Sequence, residues 1–132
     1  MIYLDSCAVV KLIIEEEHSA ALNTHLYSAT PEVISSQLTR AEVRRALIRL
    51  GQRERTRAKA DAILAQIAKL PIETIVDLAG DLPLRTLRTL DALHVATAQM
   101  LGPAVTEFIT YDKRLAKAAT EAGLPLTMPG VN

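Results

Sequence analysis

Four carboxylates in four separate segments hold the chemistry available to this chain. Asp5 comes directly after the apolar run Ile2-Tyr3-Leu4, and Asp112 comes shortly after the run Glu107-Phe108-Ile109-Thr110. Glu42 lies about two turns into a helical pattern, and Asp91 stands in the first turn of another. Carboxylates brought close together repel one another and stay partly protonated unless something offsets their charge. A divalent cation does so. Ligation by oxygen alone suits Mg²⁺ or Mn²⁺, and the chain has no Cys/His set at zinc spacing. Such a cation acidifies a bound water and neutralises charge on a phosphate oxygen, so the expected reaction is phosphodiester hydrolysis. Asp5, Glu42, Asp91 and Asp112 are thus the candidate metal-ligating and catalytic residues. Thr110 beside Asp112, and Ser6 beside Asp5, are placed to orient a water or a carboxylate.

Whether these acids meet depends on the elements that carry them. Residues 88–101 read as a helix stopped by Gly102-Pro103. Leu90, Leu93, Thr97, Met100 and Leu101 recur at helical spacing and predict a shared face, while Ala92, Ala96 and Ala98 keep the helix thin enough to approach a sheet. Short apolar runs predict strands at 2–4, 32–35, 72–76, 107–110 and 124–128. Between them fall helices: one capped by Ser6, one over 18–28, one capped by Ser36 and ended by Gly51, one over 53–70, and one over 112–122 closed by Gly123. A short helical turn is expected within 77–87, and the final Pro129-Gly130-Val131-Asn132 is expected to fray. Alternating strands and helices give an α/β fold, a parallel sheet covered on both faces. In such a sheet ligands bind beyond the carboxyl ends of the strands, which is where Asp5 and Asp112 fall.

Each acid has a competing structural reading. Asp5 and Asp112 can each cap the helix that follows. Asp91 can simply favour the positive end of its helix dipole. Thr39-Arg40-Ala41-Glu42 fits a capping box in which Glu42 bonds the backbone of Thr39. His94, one turn after Asp91, is either a packed helix residue or a group that touches substrate or stabilises Asp91. What favours the metal reading is the coincidence of acids at one rim, rather than any single position.

The totals bound the remaining possibilities. A chain of 132 residues predicts a single domain over residues 1–132. Aromatics are 3% of the chain with no Trp, so base-stacking platforms are nearly excluded. The net charge is zero, but residues 40–69 carry nine basic against three acidic side chains, leaving the remainder acidic. Cys7 is alone, so no internal disulfide can form. No Gly-rich phosphate loop is present, and no segment is long and apolar enough for a membrane span or a signal peptide, which leads us to expect a cytoplasmic protein.

Four segments then carry a resemblance. Tyr3-Leu-Asp5-Ser-Cys-Ala-Val-Val-Lys11, Leu38-Thr-Arg-Ala-Glu42-Val, Leu87-Arg-Thr-Leu-Asp91-Ala-Leu-His94-Val-Ala-Thr-Ala98 and Phe108-Ile-Thr110-Tyr-Asp112-Lys-Arg-Leu115 occur in this order over nearly the whole chain. Together they resemble PIN-domain ribonucleases, specifically the VapC-type toxins of type II toxin–antitoxin systems. The resemblance implies a three-layer α/β/α sandwich with a central, mostly parallel sheet and an acidic pocket for Mg²⁺ or Mn²⁺. It implies endoribonuclease activity on RNA such as tRNA or rRNA, a homodimer, and a cognate VapB-type antitoxin that silences the toxin. Asp5, Glu42, Asp91 and Asp112 fall on the family's acidic positions and Thr110 on its usual Ser/Thr. Arg40, Arg44 and Arg45 flank Glu42 and are the candidate RNA-binding residues. The rival readings are a catalytically inactive PIN-like module and a receiver-like signalling module. A receiver would want an acidic pair after the first strand, where Asp5 stands alone, and an acceptor Asp after the third.

Overall fold

The computed structural model describes residues 1–29 and 31–132. Its centre is a five-stranded, wholly parallel sheet in the order β3-β2-β1-β4-β5. The elements run β1 (Ile2–Leu4), α1 (Ser6–Ile13), α2 (Ser19–Ala29), β2 (Val33–Ser36), α3 (Leu38–Arg49), α4 (Glu54–Ala65), β3 (Ala68–Leu70), α5 (Val76–Gly80), α6 (Thr89–Leu101), β4 (Glu107–Ile109), α7 (Lys113–Glu121) and β5 (Leu126–Thr127). A short 3₁₀ turn over Gly102–Ala104 links α6 to β4.

The period-two pleat of β1 divides the core. Ile2 and Leu4 point into one cluster with Val9 and Ile13 of α1, Leu22 of α2, Val43 and Leu47 of α3 and Leu64 of α4. Tyr3 points the other way, to Phe108, Val95, Ala98 and Leu115, beneath α6 and α7. Both faces of the sheet are therefore covered, and the expected α/β/α layering is what the chain forms. Because β1 leads sideways to β2 and β3 while β4 lies on its other side, the strand order reverses between β1 and β4. That is where an open α/β sheet leaves a crevice at its carboxyl edge.

Several boundaries differ from the sequence reading, each for a local reason. Asp5, not Ser6, caps α1: its carboxylate accepts from the Ala8 N–H, and Ser6 is the first helical residue. Ser36 does not cap α3 directly; its hydroxyl accepts from the Leu38 N–H in a turn that precedes the helix. The helix expected over 53–70 ends at Ala65, and 68–70 form edge strand β3, paired with Ile34–Ser36 of β2. Ile63, Leu64, Ile67 and Leu70 keep helical spacing across the break, so the pattern could not reveal it. The Lys69 ammonium helps make the break, bonding the carbonyls of Leu64 and Ile67. The expected strand at 72–76 is a turn leading into α5, and Ile75 is buried with Ala79, Ala92 and Ala96 between α5 and α6.

The face of α6 also differs. Leu90 and Met100 are exposed, whereas Ala92, His94, Val95, Ala96, Thr97 and Ala98 are buried. The alanines let α6 lie close against β2 and α5, which turns the bulky residues toward the flanks. The carboxyl-terminal tail is tied down rather than frayed. The Tyr111 hydroxyl donates to the Pro129 carbonyl at 2.8 Å, and the Val131 N–H donates to Met128. Gly130 has φ +88°, and a Cβ there would stand 2.8 Å from Ala21 and 3.0 Å from His18. Gly130→Ala should therefore cost roughly 1–3 kcal/mol in urea unfolding, from backbone strain and the loss of this docking. Unchanged stability would show that the tail contributes nothing.

Candidate active site

Asp5 is the anchor of the carboxyl edge. It ends β1, caps α1, and is only 2% exposed. One oxygen accepts from the Ala8 N–H at 2.9 Å; the other accepts from the Thr110 hydroxyl at 2.6 Å. Thr110 in turn accepts from the Asp112 N–H at 3.1 Å, and the Asp5 N–H donates to Ile109 at 3.3 Å. The ends of β1 and β4 are thus laced together at the crevice. Burial pushes the Asp5 carboxyl up to about 6, against the opposing pull of His94 and the Thr110 hydrogen bond.

Glu42 reaches the same region from α3. The capping-box reading does not hold, because Thr39 lies within the helix and its hydroxyl pairs with Ser35 at 2.7 Å. Glu42 instead pairs with His94 of α6, Nε2 to Oε1 at 2.6 Å. The other ring nitrogen of His94 meets the Tyr3 hydroxyl at 2.7 Å. Sequence reasoning placed His94 beside Asp91 and missed both partners. The available signal was that Tyr3, two residues before Asp5, and His94, three after Asp91, are polar groups inside apolar runs and need buried partners.

Asp91 and Asp112 complete the cluster. The Asp91 carboxyl is raised, first by burial and then by the charge of Asp112, with Glu42 adding to it and His94 and Arg88 opposing. Asp112 caps α7, one oxygen accepting from the N–H groups of Arg114 and Leu115 at 2.8 and 3.0 Å. The capping readings of Asp5 and Asp112 are therefore correct, and both caps also stand at the rim. Glu42 and Asp112 line a groove of about 690 Å³ that also takes Ser6, Lys11, Arg45 and Arg49. Asp91 lines a neighbouring hollow of about 250 Å³ with Arg88, Arg114 and Lys117.

The basic residues sort differently from the sequence expectation. Arg45 lines the groove. Arg44 is an exposed side chain engaged by Asp61 of α4, and Arg40 reaches Gln37 at 3.4 Å. Arg49, Arg88, Arg114 and Lys117 border the acids and were not singled out, since nothing in their sequence spacing relates them to Glu42 or Asp91.

The chemistry of the donors at this edge selects the kind of cation they could hold. The free donors are hard oxygens; both His94 nitrogens are engaged, and burial pushes the Cys7 thiol up to about 11, so it offers no thiolate. Glu42 and Asp112 each have an oxygen outside the hydrogen bonds described. Among the described residues, no three His, Cys, Asp or Glu side chains close into a ready metal cage. The donor chemistry fits Mg²⁺ or Mn²⁺ held by a few carboxylates with water completing the shell.

Comparison with known proteins identifies the family. The family model described as PIN domain matches residues 2–121. The chain is 45% identical over 129 residues to Ribonuclease VapC46 of Mycobacterium tuberculosis, covering 97% of each chain. It is 40% identical over 134 residues to Ribonuclease VapC35 of the same organism, covering 98% of each. Among solved structures, Mycobacterium tuberculosis VapC20, described as a Sarcin-Ricin loop cleaving toxin, superposes with TM-score 0.68 at 16% identity, covering 89% of this chain and 95% of that one. A toxin–antitoxin complex from Klebsiella pneumoniae gives TM-score 0.64 at 22% identity, covering 86% and 88%. With sequence and fold both matching, the chain belongs to the PIN-domain family, among its VapC-type members.

Proposed function

We propose that this protein is a Mg²⁺- or Mn²⁺-dependent endoribonuclease acting as the toxin of a toxin–antitoxin pair. The observation that carries the reading is electrostatic. Burial raises the Asp5 and Asp91 carboxyls, the charge of Glu42 adds to both and that of Asp112 to Asp91, a cost that a bound cation would remove. The VapC ribonucleases among its relatives support RNA as the substrate class, with tRNA or rRNA the expected kinds. The strand order speaks against the receiver-like reading, since receivers place β3 beside β1 and here β4 takes that place.

In this reading Asp5, Glu42, Asp91 and Asp112 would hold the cation, which when bound supplies an acidified water and neutralises charge on the scissile phosphate. Thr110 keeps Asp5 in place. Arg45 and Arg49 on one side, and Arg88 and Arg114 on the other, are positioned to bind flanking phosphates. Leu50, Leu90 and Val10 give the larger groove an apolar wall suited to a segment of a VapB-type antitoxin, and the Klebsiella toxin–antitoxin complex supports such a partner. A homodimer belongs to the same proposal. No helix among the described residues is long and apolar enough to cross a membrane, and a cytoplasmic site of action is proposed with the rest.

Purified protein should cut RNA with Mn²⁺, stop on chelation, and lose cleavage as Asp5→Asn or Asp91→Asn; wild-type rates in both variants would refute the assignment. Free Mn²⁺ at about 100 times its dissociation constant should add about 2.7 kcal/mol of stability. A flat melting temperature across the titration would count against a shared site. Arg45→Gln should raise KM and shallow the salt dependence by about one unit of slope, whereas Arg44→Gln should change neither.

The metal-free protein offers a further check through Asp5. Its folded carboxyl sits near 6 against an ordinary 3.8, so the folded state holds this proton more tightly than the unfolded chain. The associated stability is complete below about pH 4 and is lost as pH rises through about 6. Relative to Asp5→Asn, wild type should gain on the order of 3 kcal/mol between pH 7 and pH 4 by denaturant unfolding. A difference that does not vary with pH would show that burying this carboxylate carries no penalty.

A further inference from the structure

His94 joins elements that no core cluster joins. Val43 and Leu47 of α3 pack on one face of the sheet, while Val95 and Ala98 of α6 pack on the other. His94 spans the carboxyl edge between them. It is 1% exposed, its Nε2 lies 2.6 Å from Glu42 Oε1, and its Nδ1 lies 2.7 Å from the Tyr3 hydroxyl. Tyr3 is itself fixed: it is fully buried, stacked on Phe108 at 5.1 Å with rings 6° from parallel.

A carboxylate only accepts, so Nε2 carries the proton it shares with Glu42. Nδ1 meets the Tyr3 hydroxyl, which holds the ring plane with Nε2 on Glu42. Glu42, half-buried on α3, has a competing partner in Arg45 three residues along the same helix. A buried donor that cannot move holds the carboxylate away from that arginine and leaves its second oxygen to the groove.

We infer that His94 is a positioning residue: its Nε2–H fixes the Glu42 carboxylate at the groove, and the Tyr3 hydroxyl, bonded to Nδ1, holds the ring in that orientation. The inference rests on Glu42 serving as a metal ligand, and it assigns the one buried histidine on α6 a role in metal affinity rather than in packing. Groups of this kind, one shell behind the ligands, commonly govern metal affinity by about 10–100-fold.

The test uses the full chain, free of metal and then titrated with Mn²⁺. Ring-nitrogen NMR of the metal-free protein should show a proton on His94 Nε2. A ring whose only proton sits on Nδ1 would overturn the inference. Mn²⁺ binding, read by electron paramagnetic resonance, should weaken about 10–100-fold in His94→Leu. It should largely recover in His94→Gln, whose amide N–H can replace Nε2–H. Tyr3→Phe should fall between. Wild-type Mn²⁺ affinity in His94→Leu would refute the inference, as would equal weakening in His94→Gln and His94→Leu at matched melting temperatures. If His94→Leu does not fold, Tyr3→Phe decides: unchanged Mn²⁺ affinity there would refute it. Wild-type protein that binds no Mn²⁺ would remove the metal-site reading and this inference together. Normal wild-type binding with indifferent variants would remove this inference alone.

Discussion

The structure depends on a buried carboxylate that is fully engaged before any ligand arrives. Asp5 uses one oxygen to cap α1 and the other to receive the Thr110 hydroxyl, so it fixes the start of a helix and the spacing of two central strands at once. Those bonds make its burial tolerable without making it free of cost, since the carboxyl still rises to about 6. In the proposed reading, the same group that organises the fold also contributes to the demand for a cation.

Around that anchor the other acids are held with different firmness. Asp112 is constrained by backbone N–H donors at the start of α7, and Glu42 by a buried imidazole. Asp91 feels mainly burial and its acidic neighbours. A cluster held in this graded way has fixed walls and at least one adaptable member. That suits a hard cation which retains several waters and needs only a few carboxylates. The arginines and lysines stand beyond the acids along two adjoining hollows, where they can meet phosphates without neutralising the cluster itself.

The acidic positions were legible because strand ends deliver side chains to one edge of a parallel sheet, and the sequence marks strand ends with a change from apolar to polar residues. Asp5 after Ile2-Tyr3-Leu4 and Asp112 after Phe108-Ile109-Thr110 are such changes. The α/β alternation was legible for the same reason. The end of α4 was not, because Ile63, Leu64, Ile67 and Leu70 keep helical spacing into an edge strand whose existence depends on pairing with β2. The buried face of α6 was misjudged because size was taken as the guide, and the close approach of that helix selects alanine instead.

What the sequence determined by itself was the set of side chains on offer: carboxylates without a Cys/His set, placed where a parallel sheet gathers its strand ends. What the tertiary structure alone decided was which group holds which. Thr110 reaches Asp5 across 105 residues of chain, and His94 reaches Glu42 across 52 and Tyr3 across 91. Residue type and local spacing report the preferences of neighbours along the chain. Hydrogen bonds between distant residues depend instead on the packing of whole layers, and only the folded molecule sets that distance.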